Sequence, residues 1–402
     1  MKYVVVLGDG MADYPVPQLG NRTPLQSAAK PNIDFLAANG ETGMVRTIPE
    51  GIPPGSDAAN LSVMGYDPNK YYTGRSPLEA VSMGVELSPT DLAFRCNLVT
   101  LKIDGDYENA VMEDYSSDEI STAESTALIE EINRHLSSEE IRFHPGISYR
   151  HCMVWHTGEG RRTFTPPHDI LERVIAPYLP AGDKSEFFLE MQRKSYEILR
   201  DHPVNKSRTS RGLRPANSIW LWGEGSKPAI PKFTDKYGIN GSVVSAVDLI
   251  KGIGICAGLD SVDVDGVTGN INTNFKGKAE AALKELKNGK DFVYVHVEAP
   301  DECGHRYEIE NKVKSIEYID ELVVGTLLDG LSAFDDYSIM VLPDHPTPLS
   351  LRTHTPEPVP YIIYRRSSQQ PSGIEGYDEF QARQTGIFIE EGFRLMDRFL
   401  QK

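Results

Sequence analysis

A short apolar run late in the chain is followed by an acid and an imidazole, Asp344 and His345. Residues 338–342 predict a buried strand, and the prolines at 343, 346 and 348 disfavour a continuing helix or strand. Because ligands collect beyond the carboxyl ends of strands in open α/β sheets, we expect both side chains to lie in a functional site. A carboxylate and an imidazole on a stiff loop suit a divalent metal ion, and a surface turn is the alternative.

The start of the chain repeats this arrangement. Residues 3–7 predict a fully buried, central parallel strand, and Asp9 follows on a glycine-flanked turn. We expect Asp9 to join Asp344 and His345 at one edge of the sheet, although an Asp-Gly turn without a function is the alternative. The pattern Gly8-Asp9-Gly10-Met11 is not GxGxxG, so it does not favour a dinucleotide, and we expect no organic cofactor.

Two further segments supply metal-binding residue types. Asp301 and His305 follow a predicted strand at 292–297, and their spacing of four residues could place them on one side of a helical turn. His354 lies on a proline-rich loop. Together with the hydroxyl of Ser56, the three aspartates and three histidines divide into two mixed oxygen and nitrogen sites, which suit Mn²⁺, Zn²⁺ or Mg²⁺. Paired ions of this kind clamp the attacking and leaving oxygens of a phosphoryl transfer.

Ser56 is the candidate nucleophile. It follows Pro53-Pro54-Gly55 at a predicted helix start, where capping the helix is the ordinary role of a serine. The same position would let free N–H groups and the helix dipole stabilise a phosphate on its Oγ. No histidine is adjacent and the GxSxG pattern is missing, so an esterase triad is not indicated. A metal ion would have to activate the hydroxyl.

Composition limits the class of protein. With 402 residues and 40% hydrophobic content the chain predicts two domains. A net charge of -17 argues against nucleic acid or an anionic membrane as a partner, and an anionic small-molecule substrate would need a local basic patch. The four cysteines show neither CxxC spacing nor the density of a disulfide framework, which favours a cytoplasmic location. The oligomeric state stays open.

Residues 86–215 differ in character from the rest and predict an inserted α+β domain with short alternating strands. Just before it, Ser76 and Glu79 have the spacing of a capping box. Four cations near its end, at positions 206, 208, 211 and 214, have no acid among them, and a solvated loop is the alternative to an anion site. The candidate substrate contacts in and beside the insert are Arg75, Arg95, Asn97, Arg150, His151, Arg208, Arg211 and Arg214.

Five motifs carry a resemblance to a known family. They are Gly8-Asp9-Gly10-Met11, Pro54-Gly55-Ser56-Asp57, Ala299-Pro300-Asp301 with Gly304-His305, Asp344-His345, and His354-Thr355 with Pro358-Val359-Pro360. Together they resemble the cofactor-independent phosphoglycerate mutases of the alkaline phosphatase superfamily, in their shorter archaeal-type branch. The resemblance runs along nearly the whole chain. Arg306-Tyr307, and Pro346 where the longer branch has glycine, depart from the family pattern.

The resemblance implies an α/β fold, with an alkaline phosphatase-like doubly wound sheet in residues 1–85 and 216–402 and a smaller substrate-binding domain in 86–215. One divalent ion would be held by Asp301, His305 and His354, and the other by Asp9, Ser56, Asp344 and His345. In this family the serine takes the phosphoryl group from 3-phosphoglycerate and returns it to the other hydroxyl, through a phosphoserine intermediate.

A homoserine kinase-like phosphotransferase or a phosphohydrolase of the same superfamily is the alternative function. A mutase must hold a carboxylate and a phosphate on one small substrate, whereas homoserine is a zwitterion whose ammonium needs an acid. The arginines of the insert outnumber any acidic cluster in the same segments, and this favours phosphoglycerate.

Overall fold

The computed structural model describes residues 1–158 and 160–401. The chain divides into two compact units: residues 1–72 with 229–402 form the first, and residues 73–228 form the second. The predicted insert bounds of 86 and 215 are therefore too narrow on both sides. A helix at Ser76–Ser82 and a strand at Ser218–Ser226 both pack on the strand Leu92–Lys102, so all three belong to the second unit.

The strands, in chain order, are β1 (Lys2–Gly8), β2 (Glu41–Val45), β3 (Leu92–Lys102), β4 (Val111–Asp114), β5 (Ile141–His144), β6 (Arg150–Trp155), β7 (Arg162–Thr163), β8 (Ala181–Gly182), β9 (Ser218–Ser226), β10 (Gly241–Val244), β11 (Asp260–Val262), β12 (Phe292–Val297), β13 (Tyr337–Leu342), β14 (Val359–Arg365) and β15 (Phe388–Ile389).

The α-helices are α1 (Pro24–Ser27), α2 (Pro31–Asn39), α3 (Ser56–Val63), α4 (Pro68–Tyr71), α5 (Ser76–Ser82), α6 (Thr122–Leu136), α7 (Ser185–Leu199), α8 (Pro203–Ser210), α9 (Phe233–Tyr237), α10 (Asp248–Cys256), α11 (Phe275–Lys287), α12 (Ala299–Arg306), α13 (Ile309–Tyr318), α14 (Thr326–Leu331), α15 (Glu379–Gln384) and α16 (Leu395–Leu400). A π-helical segment, Ile319–Gly325, joins α13 to α14. Single 3₁₀ turns lie at Pro17–Leu19, Tyr107–Asn109, Pro167–Ile170, Ala176–Tyr178 and Gly392–Arg394.

The first unit contains an eight-stranded sheet in the order β11-β10-β12-β1-β13-β14-β2-β15. Strand β1 lies between β12 and β13 and is parallel to both, as predicted for a central strand. Leu7 pairs with Leu342, and Gly8 pairs with Val297. The carboxyl ends of these three strands therefore lie side by side at one edge of the sheet.

Helices cover both faces of this sheet. Val4 and Val6 of β1 point into an apolar core that includes residues of α2, α11 and the segment from α13 to α14. Tyr3, on the opposite face, makes an edge-to-face contact with Phe399 of α16 at 5.5 Å between ring centroids. Because both faces are buried, the strands are apolar almost throughout, which is typical of parallel sheets. The predicted α/β fold with a doubly wound sheet is confirmed.

The second unit is built on a smaller antiparallel sheet, in which β3 pairs with β4, β6 and β9, and β5 pairs with β6. One face packs on α6 and α7 through an apolar core containing Phe94, Leu98, Met153 and Phe188. The opposite face carries Arg95 and Trp222, which are paired across β3 and β9. The predicted α+β character of the insert is thus present.

In the parts of the chain that the structure describes, none of the helices has the length and apolar character needed to cross a membrane.

Candidate active site

The carboxyl ends of β1, β12 and β13 deliver acids to one place. Asp9 follows β1, Asp344 lies two residues after β13, and Asp301 lies in the first turn of α12, directly beyond β12. Two groups of side chains there could each hold a metal ion, with the ligand atoms of each group within 4.8 Å of one another. These groups are Asp9, Asp344 and His345, and Asp301, His305 and His354.

The first group is fully enclosed. His345 Nε2 lies 3.6 Å from Asp9 Oδ1 and 3.4 Å from Asp344 Oδ2. Asp344 is held by three donors: the backbone N–H groups of Gly10 and His345 at 3.2 and 2.9 Å, and Asn60 Nδ2 at 2.9 Å. These bonds fix the carboxylate before any ligand arrives.

The second group is partly open. Asp301 Oδ2 lies 3.3 Å from His305 Nε2, and Asp301 Oδ1 lies 3.4 Å from His354 Nε2. His305 Nδ1 lies 2.9 Å from the Arg352 carbonyl oxygen, which can only accept, so this nitrogen carries a proton. Nε2 of His305 therefore faces the cluster, 2.9 Å from Nε2 of His354. The hydrogen bond to Asp301 raises the pKa of His305 to about 9.

Ser56 occupies the first helical position of α3, and Gly55 takes the capping position. The alternative role of Ser56, capping the helix, is therefore not found, because its side chain makes no capping hydrogen bond. Instead the hydroxyl turns toward the first group, where Oγ lies 3.1 Å from His345 Nε2 and donates to Asp9 Oδ2 at 3.4 Å. The hydroxyl is thus directed at a candidate metal site.

The electrostatics of the first group favour a cation. Burial, and then the charges of Asp344 and Asp301, raise the pKa of Asp9 well above its ordinary value. Among the described residues, Asp9 Oδ1 is a buried atom without a hydrogen-bond partner. A buried, unpartnered carboxylate oxygen is costly unless it binds a cation or a proton. The donor set, of carboxylates, imidazoles and a hydroxyl, fits a divalent ion.

Two positioning residues escaped the sequence reasoning. Asn60 lies one helical turn after Ser56, and its side chain receives a hydrogen bond from Tyr294 at 2.6 Å while it holds Asp344. His296 Nε2 lies 3.0 Å from Asp9 Oδ2, and burial lowers the pKa of His296 to about 3. Two features of the sequence could have revealed them: Asn60 lies four residues after Ser56, and His296 is a lone histidine within an apolar strand.

Relatives of the chain match it over nearly its full length. A protein of Geobacter sulfurreducens named probable 2,3-bisphosphoglycerate-independent phosphoglycerate mutase is 51% identical over 402 residues, covering 100% of both chains. A 2,3-bisphosphoglycerate-independent phosphoglycerate mutase of Methanosarcina acetivorans is 51% identical over 381 residues, covering 94% of each chain. The chain belongs to this phosphoglycerate mutase family.

One of two matching family models and one of two similar solved structures carry the same family name. The family model described as 2,3-bisphosphoglycerate-independent phosphoglycerate mutase matches residues 37–205, and the one described as type I phosphodiesterase / nucleotide pyrophosphatase matches residues 178–348. The cofactor-independent phosphoglycerate mutase of Thermoplasma acidophilum is 28% identical, with a TM-score of 0.67, covering 100% of this chain and 99% of that one. A Pyrococcus horikoshii protein is 29% identical, with a TM-score of 0.81, covering 100% and 97%.

Phosphoglycerate mutases of this family act on an anionic substrate, and the second unit of this chain contains a group of three arginines. Glu79 Oε1 lies 2.6 Å from Arg75 Nε, and Glu79 Oε2 lies 3.1 Å from Arg95 Nε. Burial opposes ionisation of Glu79, but the charges of Arg95 and then Arg75 outweigh it, so its pKa lies below the ordinary value. Arg150 is close enough to act on Glu79 in the same direction.

The Arg95 guanidinium is fixed in place. It stacks on the Trp222 ring at 4.4 Å, and the Arg95 backbone N–H donates to Ser76 Oγ at 2.9 Å. The predicted capping box is wrong: Ser76 lies inside α5 and bonds to this sheet, and Glu79 binds arginines. Two arginines pair with the Glu79 carboxylate and a third lies near enough to act on it, so the group carries a net positive charge.

Asn97 lies opposite Arg150 in the sheet, beside this group, whereas His151 does not join it. The Asn97 side chain receives a hydrogen bond from Trp222 Nε1 at 3.0 Å and donates to the Tyr115 carbonyl at 3.3 Å. His151 points into the core, where burial lowers its pKa to about 3 and Nδ1 accepts from the Gly146 N–H at 3.0 Å. Both side chains are engaged in holding the sheet of the insert.

The basic run at the end of the insert is neutralised by acids from elsewhere in the same unit. Arg208 is buried and lies 2.8 Å from Glu124 of α6, and Arg211 binds the other oxygen of the same carboxylate at 2.5 Å. Arg214 donates to Asp118 at 2.7 Å. Four acids, Glu113, Asp114, Asp118 and Glu124, lie beside these three arginines, whereas Glu79 alone pairs with Arg75 and Arg95, so the excess of positive charge does not lie in the basic run.

Proposed function

We propose that this chain interconverts 3-phosphoglycerate and 2-phosphoglycerate without added bisphosphoglycerate, as a glycolytic phosphoglycerate mutase of its family. The observation that carries the proposal is the position of the Ser56 hydroxyl between Asp9 and His345. A hydroxyl beside a buried set of acids and imidazoles is the arrangement that phosphoryl transfer through a serine requires.

The reaction consists of two transfers through the same oxygen. Ser56 Oγ attacks phosphorus, the bond from phosphorus to the substrate oxygen breaks, and the serine proton ends on that leaving oxygen. The glycerate then presents its other hydroxyl, which attacks phosphorus in its turn and returns a proton to Ser56. Atoms and charge balance without a second phosphorylated compound. The hydroxyl of Ser56 is the acceptor in the first transfer and the leaving group in the second.

The ligands divide into two sets, which we propose hold two divalent ions: manganese, zinc or magnesium. Asp301, His305 and His354 would hold one ion, and Asp9, Ser56, Asp344 and His345 would hold the other. Ions bound there would stabilise the Ser56 oxyanion and the transferring phosphoryl group. Asn60 and the backbone N–H of Gly10 keep the Asp344 carboxylate in position throughout.

Arg75, Arg95 and Arg150 are the proposed contacts for the carboxylate and phosphate of the substrate. Glu79 pairs with both Arg75 and Arg95, and the stacking of Arg95 on Trp222 limits its side-chain freedom. A cation that is already ordered loses less conformational entropy on binding.

The cytoplasmic location indicated by cysteine usage stays a prediction.

The experiment is phosphorus NMR of the purified chain. The buffer contains no Mn²⁺, the added metal is Mg²⁺ or Zn²⁺, and 3-phosphoglycerate is the sole phosphorylated compound added. We expect the 2-phosphoglycerate resonance to grow until a constant ratio is reached, with no inorganic phosphate released. A parallel sample contains homoserine and ATP. Phosphorylation of homoserine without mutase turnover would replace the proposal with a kinase, and accumulation of inorganic phosphate alone would replace it with a phosphohydrolase.

A further inference from the structure

Thr347 lies between the two candidate metal sites without belonging to either. Its side chain is fully buried, its Oγ1 donates to Asp301 Oδ1, and the same oxygen lies 3.3 Å from His345 Nδ1. Asp301 belongs to one set of ligands and His345 to the other. A single hydroxyl therefore contacts both sets.

We propose that Thr347 is a positioning residue that couples the two ion sites, an inference that rests on the proposed two-ion function. His345 directs Nε2 toward Ser56 and the acids, so a ring that binds an ion through Nε2 carries its proton on Nδ1. That proton is donated to Thr347 Oγ1, whose own proton is donated to Asp301.

This direction of hydrogen bonds has a consequence for both sites. A threonine hydroxyl has one proton and can accept as well as donate, so only one orientation satisfies both neighbours. The hydroxyl fixes the tautomer of His345 and, at the same time, the rotation of the Asp301 carboxylate. Side chains that orient metal ligands in this way change metal affinity by about 10- to 100-fold when they are removed.

The backbone of Thr347 is anchored by hydrogen bonds on both sides of the residue. Lys312 Nζ, which is fully buried, donates to the Thr347 carbonyl at 2.7 Å and to Asp13 Oδ2 at 2.7 Å. The Thr347 N–H donates to the Ala12 carbonyl at 3.2 Å. A Cβ added at Gly10 would lie 2.5 Å from Thr347 Oγ1, so the first loop of the chain packs directly on this hydroxyl.

The test measures binding of Mn²⁺ alone by titration calorimetry, so that it does not depend on turnover. The variants are Thr347→Val, which removes the hydroxyl, Thr347→Ala, which removes the hydroxyl and the methyl group, and Thr347→Ser, which keeps the hydroxyl. Thr42→Val is the matched control, because Thr42 is equally buried and its hydroxyl bonds to the Ala37 carbonyl, away from both sites.

We expect Thr347→Val and Thr347→Ala to weaken both Mn²⁺ binding events by about 10- to 100-fold. In Thr347→Ser and Thr42→Val the Mn²⁺ affinity should stay within about threefold of that of the unaltered chain, because both variants keep a hydroxyl at position 347. The visible spectrum of the Co²⁺-loaded protein should change in the valine variant and be restored by serine, which a purely structural role would not produce.

Unaltered affinity in Thr347→Val, or weakening of only one of the two ions, would overturn the coupling. If the valine variant does not fold, the comparison of alanine with serine isolates the same hydroxyl and decides the question. Failure of the proposed function gives a different result, because the unaltered chain itself would then not bind two Mn²⁺ ions.

Discussion

The Ser56 hydroxyl lies 3.1 Å from Nε2 of His345, although 289 residues separate the two positions in the chain. The pair meets because α3 begins at Ser56 and because the loop after β13 turns His345 toward the end of β1. The same hydroxyl donates to Asp9, which follows β1. This contact directs the Ser56 hydroxyl at one of the two candidate metal sites.

The first prediction concerns removal of the nucleophile. Ser56→Ala should abolish mutase turnover while the free energy of unfolding changes by less than about 1 kcal/mol, because Gly55 rather than Ser56 caps the helix. Steady-state assays and denaturant unfolding measure the two quantities. Ser62→Ala is the control, since Ser62 is a buried serine of the same helix whose hydroxyl has no partner in the described structure. Full turnover by Ser56→Ala would contradict the assignment.

The second prediction separates the two ion sites. His305→Ala should empty the site formed with Asp301 and His354 and leave the other site occupied, because the two sets share no residue. Elemental analysis of the dialysed protein should find about one ion in place of two, the loss expected when a ligand is removed from one set. His135→Ala, an exposed histidine of α6, serves as the control. Two full equivalents in His305→Ala would show that the ligands are divided differently.

The third prediction is a pH dependence of metal binding. The hydrogen bond to Asp301 raises the pKa of His305 to about 9 in the ion-free protein, so this ring is protonated at neutral pH. An ion that binds at the site of Asp301, His305 and His354 must displace that proton. The affinity of this site for Mn²⁺ should therefore rise about tenfold per pH unit from pH 7 to pH 9 and then level off. Calorimetry in two buffers of different ionisation enthalpy counts the proton. Affinity that is constant across this range would refute the prediction.

The same pKa gives the sign of a stability change. A histidine whose folded pKa is raised from 6.5 to about 9 stabilises the ion-free protein fully below pH 6.5. That contribution is lost as the pH rises through about 9. Thermal unfolding of the ion-free protein should therefore show falling stability over this interval, and His305→Ala should remove that part of the slope.

The fourth prediction compares two arginines of the second unit. Arg95→Ala should lower kcat/KM by an amount equivalent to about 1.5 to 3 kcal/mol, the range for hydrogen bonds to charged groups. Arg211→Ala should leave kcat/KM unchanged, because this half-exposed side chain is paired with Glu124. Measuring both variants at one metal concentration makes them a matched pair. Equal losses in the two would restore the basic run as a substrate site.

The sequence predicted which acids meet because parallel strands bring their carboxyl ends together whatever the length of chain between them. Asp9, Asp301 and Asp344 each follow an apolar run that could be recognised as a strand, and the sheet order places those strands side by side. Ser56 was found for the same reason, because prolines and a glycine mark the helix start. The alternative, a capping role for this serine, is not found.

The substrate side was harder to predict, because it depends on pairs of residues that are distant in the chain. The arginines at 208, 211 and 214 looked unpaired since no acid lies among them, but Glu124 of α6 and Asp118 before it supply the partners. Thr347 and Asn60 escaped notice because a threonine or an asparagine near a ligand is common and becomes informative only once distances are known.

The most direct test of the central claim is to mix the Mn²⁺-loaded chain with 2-phosphoglycerate, quench it in acid during turnover, and measure the intact mass and the peptide fragments. The account predicts a mass increase of one phosphoryl group, confined to the peptide containing Ser56, and no increase in Ser56→Ala. Phosphate on a different residue, or turnover without any covalent phosphate, would contradict it.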